Sequence, residues 1–296
     1  MRGHVFFIVD VFAEKKFTGN QLAVFCNGWQ YSDREMLDLT REMNYSESTF
    51  ILSEKPSFNG YPVRIFTPEE ELPFAGHPTL GTAFVIATEI LKKKIECLHL
   101  DLKVGSIPVS LSYTNDSLER LWMRQIEPLF GEIIDAEIVS RILHLETNDL
   151  DLRFPIQEVS TGLNVLIVPL KTLASVRNIQ VNRKLFYEFV EHRSAKDILV
   201  FCPQTYHDQH DINVRVFSHY QAIPEDPATG SANGCLAGYL ARYRFFGSDS
   251  VDISVEQGYE IHRPSVLYLK SKDTKGRIEV NVGGNVIKVA KGRLAR

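Results

Sequence analysis

One stretch of this chain occurs twice, and the repetition limits what the chain can fold into. Arg64 to Leu91 reads RIFTPEEELPFAGHPTLGTAFVIATEIL: a strand-like start, an acidic proline loop, a Gly-containing turn and an almost wholly apolar run. Arg215 to Phe246, RVFSHYQAIPEDPATGSANGCLAGYLARYRFF, follows the same order with smaller residues and a basic end. Arg64 aligns with Arg215 at an offset of 151 and Gly76 with Gly230 at 154. In the same register Gly105 meets Gly258 at 153, Phe50 meets Phe201 at 151, and Gly19 meets Gly162 at 143. A repeat of roughly 150 residues is too long for a solenoid unit and suits two similar domains. At 296 residues the chain is also at the size where one core gives way to two. The expected division is 1–127 and 128–296, with the final strand a candidate to cross back into the first half.

The apolar run after Gly76-His77 predicts a helix. Pro78 falls where a first-turn proline is tolerated, because its missing N–H has no intrahelical partner there. Lys92-Lys93-Lys94 closes the run with cations at the negative end of the helix dipole. A helix apolar on nearly every face is buried all round, so each half reads as a sheet around one central helix. Its first amides still need partners. One anion held by both Gly76-His77 and Gly230-Ser231 is one way to supply them. Ordinary capping by Thr79 and Ser231 is the plain alternative.

The rest of the first half reads as mostly strands, with one helix from Ser32 to Glu42 opened by a capping box of Ser32 and Glu35. The segment from Pro128 to Phe154 reads as a charged helical connector, and the second half returns to strands with a helix near Val181–His192. A net charge of −4 and a pI near 6.2 argue against a general nucleic-acid binder. No apolar run reaches the ~20 residues of a membrane span. Cys26, Cys97, Cys202 and Cys235 have no disulfide or zinc spacing, so they read as reduced thiols of a cytoplasmic protein.

At DVFAEKKFTGNQLAVF, NYSESTFIL, ELPFAGHPTLGTAFV, STGLNVLIVPL, EDPATGSANGCLAGYL and VEQGYEIHRPS, the chain resembles the PhzF family of phenazine biosynthesis-like proteins. The resemblance runs through essentially the whole chain in order. It implies an α+β fold like that of diaminopimelate epimerase: two pseudo-symmetric lobes, each a β-barrel-like, mostly antiparallel sheet wrapped round a central helix, with the active site between them. It also implies a cofactor-independent isomerase related to the one acting on dihydro-3-hydroxyanthranilate, without metal, commonly a homodimer. The partner it implies is a small carboxylate substrate, with no nucleic acid and no membrane. His262 in HRPS stands where relatives often have Gly.

The residues carry their own chemistry. Glu47, in SESTF at the start of an apolar strand, aligns with Ile198, so the repeat sets a carboxylate against a hydrophobe. Apolar surroundings disfavour its charged form and move its pKa toward the range useful for general acid–base work. The resemblance makes Glu47 the catalytic carboxylate and puts Asp226, in EDPATGS, opposite His77. Gly76, Gly230 and Ser231 are then the substrate-binding amides.

Two other classes compete: a catalytically silent binding protein on the same scaffold, and a racemase or epimerase. A two-thiol racemase needs a cysteine directly before each helix turn. Ala75 stands at the first turn, and Cys235 lies one turn inside the second helix. His207 and His210 lack a third distant metal ligand, and Gly283-Gly284 has no following helix to make a phosphate loop.

Overall fold

The structure, a computed structural model, describes residues 4–219 and 223–295. It is a mixed fold of mostly antiparallel sheet with few helices. The chain forms two compact units, one of Met1–Met123 with Gly283–Arg296 and one of Arg124–Val282.

The first unit runs β1 (Val5–Val11), β2 (Asn20–Phe25), α1 (Asp33–Met43), β3 (Ser48–Ile51), β4 (Tyr61–Phe66), β5 (Glu71–Leu72), α2 (Gly76–Val85), β6 (Cys97–Leu102), β7 (Gly105–Thr114) and β8 (Ser117–Arg124). The second runs β9 (Leu129–Ile133), α3 (Ala136–Leu143), β10 (Gln157–Ser160), β11 (Asn164–Pro169), α4 (Leu173–Arg177), α5 (Arg183–Val190), β12 (Asp197–Cys202), β13 (Ile212–Ser218), β14 (Ile223–Asp226), α6 (Gly230–Arg242), β15 (Ser250–Gln257), β16 (Ser265–Thr274) and β17 (Arg277–Gly284). The last strand, β18 (Val286–Arg293), pairs with β1 of the first unit. Tyr220 to Ala222, part of the second acidic loop, lies outside the described residues.

The same ladder is built twice. In the first unit β18–β1 and β1–β2 are antiparallel, β2–β3 parallel, β3–β4 antiparallel, β4–β6 parallel and β6–β7 antiparallel. In the second, β9–β10 and β10–β11 are antiparallel, β11–β12 parallel, β12–β13 antiparallel, β13–β15 parallel and β15–β16 antiparallel. A short strand, β5 or β14, is added to β4 or β13 in each.

The ladders correct one alignment from the sequence. Arg64 pairs with Phe50, whereas Arg215 pairs with Val200. The neighbouring parallel ladders agree: Ala23 pairs with Ser48, and Leu166 with Ile198. The counterpart of Phe50 is therefore Val200, not Phe201, and the counterpart of Glu47 is Asp197, not Ile198. A one-residue slip moves every side chain to the opposite face of a sheet. Phe50 packs with Phe25, Phe66 and Met36 of α1 on one face, as Val200 packs with Ile198 and Phe217 under α3 and α5. Phe201 instead turns toward α6, its ring 5.9 Å from that of Tyr239.

The other face of each sheet receives the long helix. The α2 helix touches β1, β2, β3, β6, β7 and β18. Its residues from His77 to Ala83 are buried, and Thr82 bonds Thr49 of β3 at 2.8 Å. Gly81 has no room for a side chain: a Cβ there would come within 2.6 Å of Leu22 and 2.9 Å of Val11. The helix continues as a wider π turn through Ile86–Leu91, only partly buried, and ends at Lys92 in a left-handed conformation. Glu89 in that turn pairs with Lys288 of β18. The α6 helix touches β10, β11, β15 and β16, and is buried from Ala232 to Ala241.

The capping box of Ser32 and Glu35 forms at α1 as expected. The segment from Pro128 to Phe154 is not wholly helical. Leu129–Ile133 is a strand, held by its ladder with β10 rather than by any alternation of its own.

Candidate active site

Both central helices start from the same mechanical device. In the first unit Arg64 donates through Nε and Nη2 to the two oxygens of Glu71, at 2.8 and 2.7 Å, and lies over the Phe66 ring. In the second, Arg215 holds Glu225 in the same way at 3.0 and 2.7 Å, over the Phe217 ring. Each clamped glutamate precedes the first residue of its helix by five positions. A two-pronged, planar ion pair fixes orientation as well as distance, so each loop enters its helix at a set angle. Arg64 also pulls the Glu71 carboxyl below the ordinary carboxylate range, with Lys103 assisting.

What those loops deliver differs. In the first unit the chain enters α2 through Ala75, whose extended backbone offers no side-chain cap. Thr79 does not cap either; its hydroxyl bonds back to the Ala75 carbonyl at 2.7 Å. The amides of Gly76 and His77 thus open the helix, and Pro78 needs none. Glu47, one residue before β3, points to the α2 face as Thr49 does. Its Oε2 lies 3.5 Å from Nε2 of His77, with the side chains 17% and 7% exposed. That separation is outside a formed hydrogen bond and within reach of one on a small movement. Burial raises the Glu47 pKa, against a smaller lowering by a hydrogen bond from Ser46. Raising the pKa of a carboxyl makes its ionised form a better proton acceptor.

In the second unit α6 is entered through Thr229, again with no side-chain cap on the opening amides of Gly230 and Ser231. The Thr229 hydroxyl is turned the other way and donates to Oδ2 of Asp226, at the end of β14. Gln257, fully buried, holds this loop from behind. Its Nε2 donates to the Asp226 carbonyl at 2.8 Å and to the Thr229 hydroxyl at 3.1 Å. Its Oε1 accepts from the Thr229 amide at 3.2 Å and from Asn233 at 2.8 Å. Gly258 follows, at φ 79, where a Cβ would come within 2.6 Å of the Pro227 carbonyl. His262 also has a positive φ, 59, in the turn whose Arg263 amide returns to Gly258. A residue at His262 other than glycine therefore bears the backbone strain of the left-handed region.

Of the residues singled out in the sequence, the structure sets Glu47 beside His77 and places Asp226 at the loop that opens α6 at Gly230-Ser231; Thr229, Gln257 and Asn233, which hold that loop, were not singled out. Gln257 stands beside the Gly258 landmark, but a single glutamine has no periodicity to mark it as the brace of a loop.

The rival motifs have structural employment. Cys235 is buried, its thiol pushed up to about 11 mainly by that burial, with its Sγ 3.5 Å from the Leu163 carbonyl. A thiol held neutral is a poor base. The loop of His207 and His210 wraps the fully buried carboxylate of Glu256. That carboxylate accepts from the amides of Tyr206 and His207, from Nδ1 of His210 and from Asn213, at 2.7 to 3.2 Å.

Residues 9–292 match the model of the phenazine biosynthesis-like protein family, PhzC-PhzF. The trans-2,3-dihydro-3-hydroxyanthranilate isomerase of Pseudomonas aeruginosa is 34% identical, covering 98% of this chain and 99% of that one. An uncharacterized isomerase of Clostridium acetobutylicum is 30% identical over 99% of both. The crystal structure of the Bacillus anthracis phenazine biosynthesis protein of the PhzF family superposes with a TM-score of 0.90, at 27% identity and full coverage of both chains.

Proposed function

The chain belongs to the family of phenazine biosynthesis-like proteins and is an isomerase, and from that premise we propose that it moves a proton within a small carboxylate-bearing substrate without a cofactor. The observation that carries the mechanism is the Glu47–His77 pair: a buried carboxyl with a raised pKa, 3.5 Å from an imidazole at an uncapped helix start. Glu47 as carboxylate takes a proton from a carbon beside an unsaturated system. The electron pair shifts along the conjugated atoms, and Glu47 as acid returns the proton to another carbon. Protons and electrons balance, so no redox partner enters. His77 orients the polar substituent nearest the migrating proton and steadies the Glu47 charge. In each unit the helix start is suited to a carboxylate: the amides of Gly76 and His77 in the first, and Asp226 with the amides of Gly230 and Ser231 in the second, are the proposed substrate-binding groups, the helix dipoles favouring an anion.

The fold reading that accompanies this is of the diaminopimelate epimerase kind, with a barrel-like sheet around α2 and another around α6. A cytoplasmic homodimer completes it. The substrate class is taken from the Pseudomonas aeruginosa relative, so trans-2,3-dihydro-3-hydroxyanthranilate is the first compound to test.

Glu47→Gln keeps shape and hydrogen bonding but removes the proton acceptor. Turnover is expected to fall by about 10²–10⁴-fold while the dissociation constant changes little. Turnover near the wild-type rate in that variant removes Glu47 from the mechanism. Binding without turnover by the wild-type protein instead favours the silent binding reading.

A further inference from the structure

Asp197 was not among the residues singled out in the sequence, because a one-residue slip hid it behind Ile198. The ladders of β11–β12 and β12–β13 both make it the counterpart of Glu47. Cross-strand partners share a face, and so do residues two apart along a strand. Leu199 is paired with Val216, and Val216 with Asp226. Asp197, two residues before Leu199, therefore lies on the same face as Asp226, and that face is the one α6 covers. Asp197 is 8% exposed, and its Oδ1 has no hydrogen-bond partner.

We propose that Asp197 is a positioning residue for the substrate-binding half of the site, a carboxyl enclosed on the same sheet face as Asp226 whose ionisation weakens that half's hold on a carboxylate. The proposal rests on the reading of Asp226 as a substrate-binding group. Two carboxylates on one enclosed sheet face repel, and each opposes ionisation of the other. Among the described residues, the groups acting with Asp197 come from three elements. Ser218 on β13 donates a hydrogen bond to it, Asp226 on β14 opposes its ionisation, and Cys235 on α6 is a neutral thiol. From β11 its neighbour is Val165. Burial and then Asp226, partly offset by Ser218, push the Asp197 pKa up to about 6. The first unit solves the same position differently, with a glutamate facing an imidazole that can take the proton. In the second unit Ser231 stands at the position of that histidine, and Ser218 bonds the carboxyl instead.

The test reads the carboxyl directly. In the wild-type protein, ¹³C-detected titration of the aspartate side chains is expected to give one inflection near pH 6. Asp226→Asn moves it down, Asp197→Asn abolishes it, and Glu47→Gln leaves it in place. Benzoate serves as a plain carboxylate probe. Its affinity for the wild-type chain is expected to fall by roughly tenfold as the pH rises from 5 to 8, within the usual range of coupling between two sites. In Asp197→Asn the affinity stays level. No aspartate titrating above pH 5, an inflection that survives in Asp197→Asn, or benzoate affinity falling equally in both proteins overturns the proposal. Failure of the catalytic reading looks different: Glu47→Gln retains turnover while the Asp197 inflection stands.

Discussion

The two units share their scaffold and differ in their chemistry. The Arg64–Glu71 clamp is matched by Arg215–Glu225, and the uncapped Gly76 start by the uncapped Gly230 start. Around those constants His77 corresponds to Ser231, Glu47 to Asp197 and Leu72 to Asp226. What the halves keep is the means of presenting a helix end; what they vary is the ionisable group beside it. The first unit has a carboxyl of raised pKa whose Oε2 lies 3.5 Å from an imidazole nitrogen. The second has two carboxyls on one sheet face, and burial above all pushes the pKa of one of them, Asp197, up to about 6.

The sharpest way to break this comparison is to neutralise the matched carboxyls in parallel. Glu47→Gln is expected to lose at least about 10²-fold in turnover at every pH. Asp197→Asn mimics the protonated state, so below pH 6 it should turn over within a few-fold of wild type. Above pH 6 it should retain activity that wild type loses. Steady-state pH profiles of the two variants decide this, and equal losses in both would make the halves chemically equivalent.

The clamps offer a structural version. Arg215 and Glu225 are 10% and 7% exposed, and Arg215 also donates to the Val176 carbonyl. Arg215→Met leaves Glu225 charged and enclosed, at a cost of about 3–5 kcal/mol. Arg64 is 24% exposed, and Glu71 keeps Lys103 when it is removed. Arg64→Met should therefore cost only about 1–2 kcal/mol. Urea unfolding of both variants measures the gap.

The Asp197 carboxyl also predicts a gain. Its folded pKa is about 6, above the ordinary aspartate value of 3.8, so between those values the folded protein binds more protons than the unfolded one. Stability on that account falls as pH rises from about 4 to 6 and stays reduced above. Asp197→Asn escapes the loss, so at pH 7.5 it should be more stable than wild type by up to about 3 kcal/mol. The difference should vanish by pH 4. Thermal unfolding at the two pH values checks the sign, and a variant less stable at pH 7.5 would mean that Asp197 holds the fold rather than the site.

Much of this was legible before the structure, for stated reasons. The capping box of Ser32 and Glu35 is a local device with a fixed spacing, and the apolar run after Gly76 has no surface face to give it. Glu47 was conspicuous as a carboxylate in an apolar strand. Asp197 was not, because aligning Phe50 with Phe201 matched residue type while ignoring the pleat. Leu129–Ile133 escaped because an exposed strand owes its conformation to its neighbour. The same holds for the π turn at Ile86–Leu91, which no propensity scale distinguishes from ordinary helix.

The smallest effect concerns the outer layers, where the halves differ most in build. Between β2 and β3 the first unit has α1 with its capping box; between β11 and β12 the second has α4 and α5, capped singly by Thr172 and Asn182. Ser32→Ala removes the acceptor for the Glu35 amide and the hydroxyl bonded to the Glu35 carboxylate. The Ser32 amide keeps its bond to that carboxylate. The loss should be about 1 kcal/mol, within the usual range for a cap, and Asn182→Ala should cost about the same or less. Turnover should be unchanged in both, since α1 packs on Phe50 and Phe25, the face turned away from Glu47 and α2. Unfolding and turnover measured on the same samples test this. A turnover loss at unchanged stability would show that the outer layer, not the clamp alone, sets how each helix end is presented.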